Sequence, residues 1–184
     1  REYARINGIG ELYLVLSHAF EHIDPREIGF DAATEFAPNS FQVDNVTNNF
    51  DFFNKDYKGN LYDYESAIKY SISYKEPDYI KFRSLCPSWD NEARKPGKGT
   101  TFVNANPNNY TKWLEYILYF TEKNRKTSEK LIFVNAWNEW AEGAYLEPDR
   151  KYGYAYLDST YGQLQKFSKE KLNLIKESKR NKKI

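Results

Sequence analysis

Residues Leu131 to Pro148 read LIFVNAWNEWAEGAYLEP, and the remainder of the chain can be interpreted from them. The mostly apolar LIFVN at the start predicts a buried strand. From its last residue, Asn135, onward the segment concentrates two Trp, two Asn and three Glu in a turn-like stretch. A buried strand that leads directly into polar and aromatic side chains indicates a binding pocket at its carboxyl end, and we expect the chemistry of the protein there.

Two other segments repeat this arrangement. A strand is predicted at Leu12–Leu16, and His18 follows it, either facing a ligand or serving as a satisfied structural group. A second strand is predicted within Asp78–Trp89, and the run WDNEAR comes directly at its end. Because the ends of parallel strands meet at one edge of a sheet, the three polar segments are expected to share a pocket.

Helical patterns separate these strands. Apolar residues at helical spacing predict helices at Tyr62–Ser73, at Tyr161–Ile175 and from Pro107 onward, with Asn109 or Thr111 as the cap of the last. Strand, helix and strand in this order predict βαβ units and a parallel sheet. The fold class is therefore expected to be α/β.

Composition limits the class of protein. The chain has 184 residues, 40% hydrophobic and 29% charged, which predicts a single globular domain over 1–184 with a charged helical tail at about 166–184. It begins without Met and contains none, which suggests a fragment, a processed chain or omitted residues. Aromatic residues make up 17%; they either fill the core or line a site for a sugar.

Charge and motif content argue against several partners. The net charge of +1 gives no basic surface for nucleic acid, and no apolar run is long enough to span a membrane. The single cysteine, Cys86, excludes an internal disulfide framework, and no Cys or His spacing is typical of a metal site. We therefore expect neither metal nor cofactor.

The segment Gly29–Asn39, GFDAATEFAPN, is predicted to be a loop. It places Asp31 and Glu35 beside aromatic residues, which favours a binding role. The alternative is that Asp31 caps a helix and Glu35 is merely solvated. Residues Gln42–Asn60 and Lys95–Thr101 are interpreted as surface loops.

The residue pair Glu139 and Glu142 is the strongest candidate for catalysis. If the chain turns helically here, carboxylates three residues apart project to the same side, with Cβ atoms about 5–6 Å apart. Retaining glycosidases hold an acid and a second carboxyl about 5–5.5 Å apart. Trp137 and Trp140 could stack on sugar rings, and Asn138 could bond a ring hydroxyl. The alternative is a pair of solvated glutamates.

Three segments carry a family resemblance. GFDAATEFAPN at 29–39, PSWDNEAR at 87–94 and NAWNEWAEGAYLEPD at 135–149 resemble, in this chain order, segments of the glycoside hydrolase family 99-like group, whose bacterial polysaccharide-biosynthesis members are called WbsX-type glycosyltransferases. The resemblance implies a (β/α)8 TIM-type barrel with its site at the strands' carboxyl ends. Because a full barrel takes about 250 residues, this chain is expected to be the C-terminal part.

The resemblance also implies roles. In the hydrolase relatives, which are retaining endo-α-mannosidases, the first Glu of the motif is the base that activates the sugar's own 2-hydroxyl, and the second is the general acid/base. Carried over, these are Glu139 and Glu142, acting through a 1,2-anhydro sugar. The expected substrate-binding residues are Asn138, Trp140, Trp137, Tyr145, Glu147, Trp89, Asp90, Asn91, Arg94, Asp31, Glu35 and His18. For Arg94 the alternative is a surface ion pair with Asp90.

The function expected is that of a carbohydrate-active enzyme of bacterial surface-polysaccharide metabolism (lipopolysaccharide, O-antigen or capsule). It would cleave or remodel α-linked glycans, with an oligo- or polysaccharide as its partner and no metal. A glycosyltransferase is the alternative, although the chain has no Asp-x-Asp motif and no glycine-rich nucleotide loop. A non-catalytic glycan-binding barrel is the third possibility. A cytoplasmic location fits a biosynthetic role, and the oligomeric state stays open.

Overall fold

The computed structural model describes the backbone of residues 1–181 and the side chains of residues 1–174. Groups of two or three strands are separated by α-helices along the chain. The elements are α1 (Glu2–Ile6), β1 (Val15–His18), β2 (Ala32–Glu35), β3 (Asn60–Asp63), α2 (Tyr64–Ser73), β4 (Lys81–Leu85), β5 (Thr100–Val103), α3 (Pro107–Asn124), β6 (Ile132–Val134), β7 (Asn138–Glu139), β8 (Ala144–Tyr145) and α4 (Ala155–Asn181).

The main sheet has four strands in the order β1-β2-β4-β6, and all of its pairs are parallel. Helix α2 lies between β2 and β4 in the chain, and α3 lies between β4 and β6. The predicted α/β class with a parallel sheet is therefore confirmed. The described residues form an open sheet with β1 and β6 outermost, so a closed barrel is not complete within them.

Alternate residues of β4 face opposite sides of this sheet, as the strand period requires. Lys81 and Arg83 point toward the helices, where their cationic groups lie 4.4 and 4.9 Å from the ring of Tyr74. Phe82 points to the other side and packs against Phe133 of β6, with ring centroids 5.9 Å apart. One face of the sheet is therefore covered by helices, and the other carries the aromatic rings of Phe82 and Phe133.

The hydrophobic core lies between the sheet and α2, α3 and α4. Trp113 of α3 is fully buried and meets Tyr64 of α2 edge-on, with ring centroids 5.6 Å apart. Helix α3 begins at the predicted Pro107, but its cap is Asn106, whose side chain accepts from the backbone N–H of Asn109 at 3.0 Å. The predicted caps were therefore wrong by a few residues, because Pro at the first helical position fixes the start.

A second, two-stranded parallel sheet lies outside the main one. Strand β3 pairs with β5 along four residues, from Asn60 opposite Thr100 to Asp63 opposite Val103. Both strands overlap the ends of the segments predicted as loops, Gln42–Asn60 and Lys95–Thr101. The predicted loops were therefore too long at their C-terminal ends. Since β3 precedes α2 and β5 precedes α3, this accessory sheet is built from the connections that follow β2 and β4.

Two strand predictions need correction. The first strand is Val15–His18 rather than Leu12–Leu16. The predicted loop at Gly29–Asn39 contains β2, a strand buried at all four positions because it pairs with both β1 and β4. Helix α4 contains the predicted amphipathic segment Tyr161–Ile175, and residues 182–184 of the predicted tail lie outside the described residues.

Candidate functional site

Glu139 and Glu142 lie on a small hairpin directly after β6. Strand β7 ends at Glu139, a 3-10 turn covers Trp140–Glu142, and β8 returns antiparallel to β7. Gly143 makes the return with a φ of 59°, which favours glycine. A Cβ atom there would lie only 2.8 Å from the backbone nitrogen of Asp90, so the hairpin also needs glycine for close packing.

The hairpin is bonded to the chain that follows β4. The backbone N–H of Asp90 donates to the Glu142 carbonyl at 2.7 Å, and the Ser88 hydroxyl donates to the Gly143 carbonyl. At the base of the hairpin, the N–H of Leu146 donates to the Trp137 carbonyl at 2.9 Å. Two of the three polar segments predicted from the sequence therefore lie side by side, as expected for the carboxyl ends of parallel strands.

Arg94 joins the two glutamates. Its Nη1 lies 2.7 Å from Oε1 of Glu142, and its Nη2 lies 3.0 Å from Oε1 of Glu139. The alternative pairing with Asp90 is not observed, since the Asp90 side chain instead accepts from the N–H of Glu92 at 3.0 Å. A single planar guanidinium thus holds both carboxyls together, and the second oxygen of each makes no hydrogen bond among the described residues.

Aromatic side chains flank this pair. Trp140 stacks on Tyr145 with ring centroids 3.8 Å apart and an angle of 16° between the planes. The indole Nε1–H of Trp140 donates to Glu147 at 2.6 Å, and the Tyr145 hydroxyl donates to Asp149 at 3.1 Å. Burial, then the bond to Asp149, raises the pKa of Tyr145. Trp137 and Trp140 stay 55% and 47% exposed, so both can contact a ligand.

Asn138 sits in β7 next to Glu139, and its side chain is exposed. Trp89 and Asn91 are instead largely buried, at 7% and 6% exposure. The Asn91 side chain accepts from the N–H of Thr100 at 2.7 Å, which ties the chain after β4 to β5. Trp89 belongs to the hydrophobic core, so both residues support the site more than they present a surface to it.

Asp31 is not brought to this site. It precedes β2 and therefore lies at the amino end of that strand, on the opposite edge of the sheet from the hairpin. Its Oδ2 accepts from the N–H of Leu14 at 2.7 Å and from Arg1 at 2.7 Å, and the Leu14 bond is the main cause of its lowered pKa. Asp31 caps no helix either, because it is followed by a strand.

Glu35 and His18 end neighbouring strands but turn into the interior. Glu35 is buried, accepts from Arg83 at 2.9 Å and from the N–H of Ser84 at 3.0 Å, and is therefore not the solvated residue of the alternative interpretation. Its burial raises its pKa, against the opposing effect of Arg83. His18 is 1% exposed, and its Nε2 lies 2.8 Å from the Ile23 carbonyl; burial lowers its pKa.

Sequence reasoning missed the partner of Glu35. Arg83 is 1% exposed on its side chain and also pairs with Glu76 at 2.7 Å. The available signal was the alternation of charged and apolar residues in KFRSL, which a strand with both faces buried does not normally show. Among residues 1–174, no group of three His, Cys, Asp or Glu is placed to hold a metal ion. None of the described helices is long and apolar enough to cross a membrane.

Comparison with known proteins agrees with the resemblance seen in the sequence. A family model described as glycosyltransferase WbsX matches residues 1–160. Two relatives, each named uncharacterized protein WxcX and found in two strains of Xanthomonas campestris pv. campestris, are 42% identical over 160 residues, covering 87% of this chain. The chain spans only 23% of the length of those relatives. The region matched by the family model includes the hairpin, Arg94 and all strands of the main sheet. The chain therefore belongs to the WbsX glycosyltransferase family.

Proposed function

We propose that the protein is a carbohydrate-active enzyme of bacterial surface-polysaccharide metabolism that acts on α-linked glycans through Glu139 and Glu142. Family membership supports the setting in polysaccharide biosynthesis. The observation that carries the chemistry is that one guanidinium, that of Arg94, lies within 3.0 Å of both carboxylates beside two half-exposed indoles. Such a biosynthetic role fits a cytoplasmic location.

In the proposed reaction Glu139 removes the proton of the sugar's 2-hydroxyl, and the resulting oxygen attacks the anomeric carbon. Glu142 gives a proton to the departing glycosidic oxygen, so that a 1,2-anhydro sugar and the free leaving group form. Water, deprotonated by Glu142, then opens the three-membered ring at the anomeric carbon, and Glu139 returns its proton to O2. Two inversions give net retention.

Arg94 fits this scheme as a positioning residue. It bonds one oxygen of each carboxylate and leaves the other for the substrate. A cation between two nearby carboxylates offsets their mutual repulsion, which would otherwise separate them. For Glu142 to carry a proton, its bond to Arg94 must weaken when the substrate binds.

We also propose that the described sheet is the C-terminal portion of a (β/α)8 barrel, with 1–184 as one domain. Apart from the accessory strands β3 and β5, the four parallel strands lie side by side in the same order as they follow one another in the chain. Successive strands of a (β/α)8 barrel are arranged in the same way. The hairpin and the chain after β4 then belong to the loops at the carboxyl ends of the strands, where barrel enzymes carry their sites.

The experiment compares Glu139→Gln and Glu142→Gln on two substrates, an unactivated α-linked oligosaccharide and an aryl α-glycoside with a good leaving group. Loss of the acid should slow the unactivated substrate by about 10²–10⁴-fold and the aryl glycoside much less, because that leaving group needs little protonation. Loss of the base should slow both. Glu27→Gln, an exposed carboxylate before β2, serves as the control.

Equal rates for Glu142→Gln and the parent on the unactivated substrate would contradict the assignment. Glycan binding without turnover in the parent, unchanged in both variants, would instead favour a binding protein. Stereochemistry gives an independent check, since the proposal requires the product to keep the α configuration.

Transfer rather than hydrolysis is the second candidate. The family description names a glycosyltransferase, and Arg94 is a cation at the reacting end of the site that could face the phosphate of an activated sugar donor. Incubation with labelled nucleotide sugars and a lipid-linked acceptor tests this. Label appearing in the acceptor, and not in free sugar, would favour transfer.

A further inference from the structure

A cleft of about 460 Å³, lined in part by Asn91 and Lys95, plays no part in the chemistry proposed above. The accessory sheet β3–β5 forms one wall, and the chain after β2 forms the other. The cleft is lined by aromatic rings, among them Phe41 and Tyr62, and by amides, among them Asn39 and Gln42. Rings together with amides suit a sugar, which has apolar faces and hydroxyl edges.

A short turn separates this cleft from the glutamates. The N–H groups of Arg94 and Lys95 both donate to the Asn91 carbonyl, at 3.0 and 3.1 Å. The Arg94 side chain contacts Glu139 and Glu142, whereas Asn91 and Lys95 of the same turn line the cleft. A glycan bound at the glutamates could therefore continue into the cleft across a single turn of chain.

The cleft lining carries positive charge and no negative charge. None of its twelve lining residues is acidic, and one of them, Lys95, carries a positive charge. The nearby Glu92 carboxylate is occupied by the N–H groups of Gly97 and Gly99. Arg94 is already bound by two carboxylates, and no salt bridge among the described side chains involves Lys95. An anionic group on the ligand would form an ion pair with Lys95.

We propose that the cleft is an accessory subsite for an acidic sugar unit, a pyranose carrying a carboxylate that pairs with Lys95 while its ring packs on Tyr62. The identification of the ligand as part of a glycan rests on the function proposed above. The positive charge of Lys95 should therefore contribute only to binding of the carboxylate, whereas the half-buried ring of Tyr62 should contribute to binding of any sugar.

The experiment uses two matched probes, α-1,4-linked trigalacturonate and its carboxyl-reduced counterpart, which differ only in their charged groups. Binding to the purified protein is measured by calorimetry at low and high salt. The charged probe should bind about fivefold more tightly than the neutral one, as expected for one exposed ion pair, and the preference should shrink with salt.

Two variants separate the contributions. Lys95→Gln should abolish the preference, whereas Lys98→Gln, the same charge in the same loop but outside the cleft lining, should leave it unchanged. Tyr62→Val, which keeps a strand-favouring residue in β3, should weaken both probes equally. Circular dichroism checks that each variant is folded.

Equal binding of the two probes, absence of binding by either, or the same loss in Lys98→Gln would overturn the proposal. Tighter binding of galactose 6-phosphate than of galacturonate would also overturn it, in favour of a phosphate site. All measurements are repeated in the Glu142→Gln background. A preference that persists there supports the subsite even if Glu142 proves to have no role in turnover.

Discussion

The molecule places the same chemical group, an arginine between two glutamates, in two different environments. Arg83 pairs with Glu35 at 2.9 Å and with Glu76 at 2.7 Å, and the Arg83 and Glu35 side chains are 1% and 3% exposed. Arg94 pairs with Glu139 and Glu142 at similar distances, but its side chain is 48% exposed and theirs are 37% and 20% exposed. Distances alone do not distinguish the two clusters.

Solvent access decides what each cluster can do. Arg83 and Glu35 lie between sheet and helices, with the guanidinium 4.6 Å from the ring centre of Phe120, and are closed to any ligand. Glu76 lies at the edge of this cluster, with 26% of its side chain exposed, and pairs with Arg125 as well. The buried charges of the cluster are costly to bury and are tolerated because they satisfy one another. The Arg94 cluster loses little by rearranging, because water can replace either partner. We therefore propose that the buried cluster serves folding and the exposed one ligand chemistry.

The largest expected effect is on the buried cluster. Arg83→Met leaves the Glu35 carboxylate without its partner in the interior and should lower the free energy of unfolding by about 3–5 kcal/mol. Denaturant unfolding followed by circular dichroism measures this. The double variant Arg83→Met/Glu35→Leu removes both charges and should recover much of the loss. A loss below about 1 kcal/mol in the single variant would show that the buried cluster contributes no more to stability than an exposed ion pair does.

Next in size is Gly143→Ala in the hairpin. The added Cβ meets the backbone of Asp90 at 2.8 Å in a left-handed conformation, so the free energy of unfolding should fall by about 2–3 kcal/mol and turnover should fall with it. Gly153→Ala is the matched control, because Gly153 has a similar φ of 55° with open space around it. It should cost only about 1–2 kcal/mol. Equal costs would show that the close approach to Asp90 is unimportant.

Arg94→Met should separate stability from activity. The exposed pair contributes less than about 1 kcal/mol to the free energy of unfolding, whereas misplacing the glutamates should lower kcat/KM by about 10- to 100-fold. Arg94→Lys keeps the charge but not the planar fork, and should restore the rate only in part. Activity equal to that of the parent in Arg94→Met would remove Arg94 from the site.

The smallest effect is expected for Glu147→Gln. The neutral amide still accepts from the Trp140 indole but holds it less firmly, so KM should rise about two- to fivefold with kcat unchanged. In a Trp140→Phe background, which has no indole donor, the same substitution should change nothing further. A fall in kcat would show instead that Glu147 takes part in the chemistry.

The sequence predicted the fold class and the main helices because their signals are local. Apolar periodicity identified α2 and α3, and the apolar start of LIFVN identified β6. The prediction that this strand is buried was wrong, since Phe133 is 37% exposed and β6 is an outermost strand of the described sheet. Strand β2 was missed since AATE is short and not strongly apolar; its strand character comes from pairing with β1 and β4 on either side. The residues of β2 alone give no indication that β1 and β4 pair with it.

The candidate site was predictable in part for the same reason. Glu139, Glu142 and their aromatic neighbours lie in one short segment, so their proximity follows from the local chain. The Arg94 contact joins residues 45 and 48 positions apart and depends on how the ends of β4 and β6 are aligned. The burial of Glu35 and the location of Asp31 likewise depend on strand order, which the sequence does not state.

The accessory sheet has a consequence for how such proteins diverge. Because β3 and β5 are carried by connections outside the main sheet, the exposed Lys95 side chain can change without disturbing the strands of that sheet. On the subsite proposed above, substitution of Lys95 alone between relatives would alter which sugar unit the cleft accepts, while the neighbouring Arg94 keeps its contacts with Glu139 and Glu142. Ligand preference and reaction chemistry can then evolve as separate traits on one scaffold.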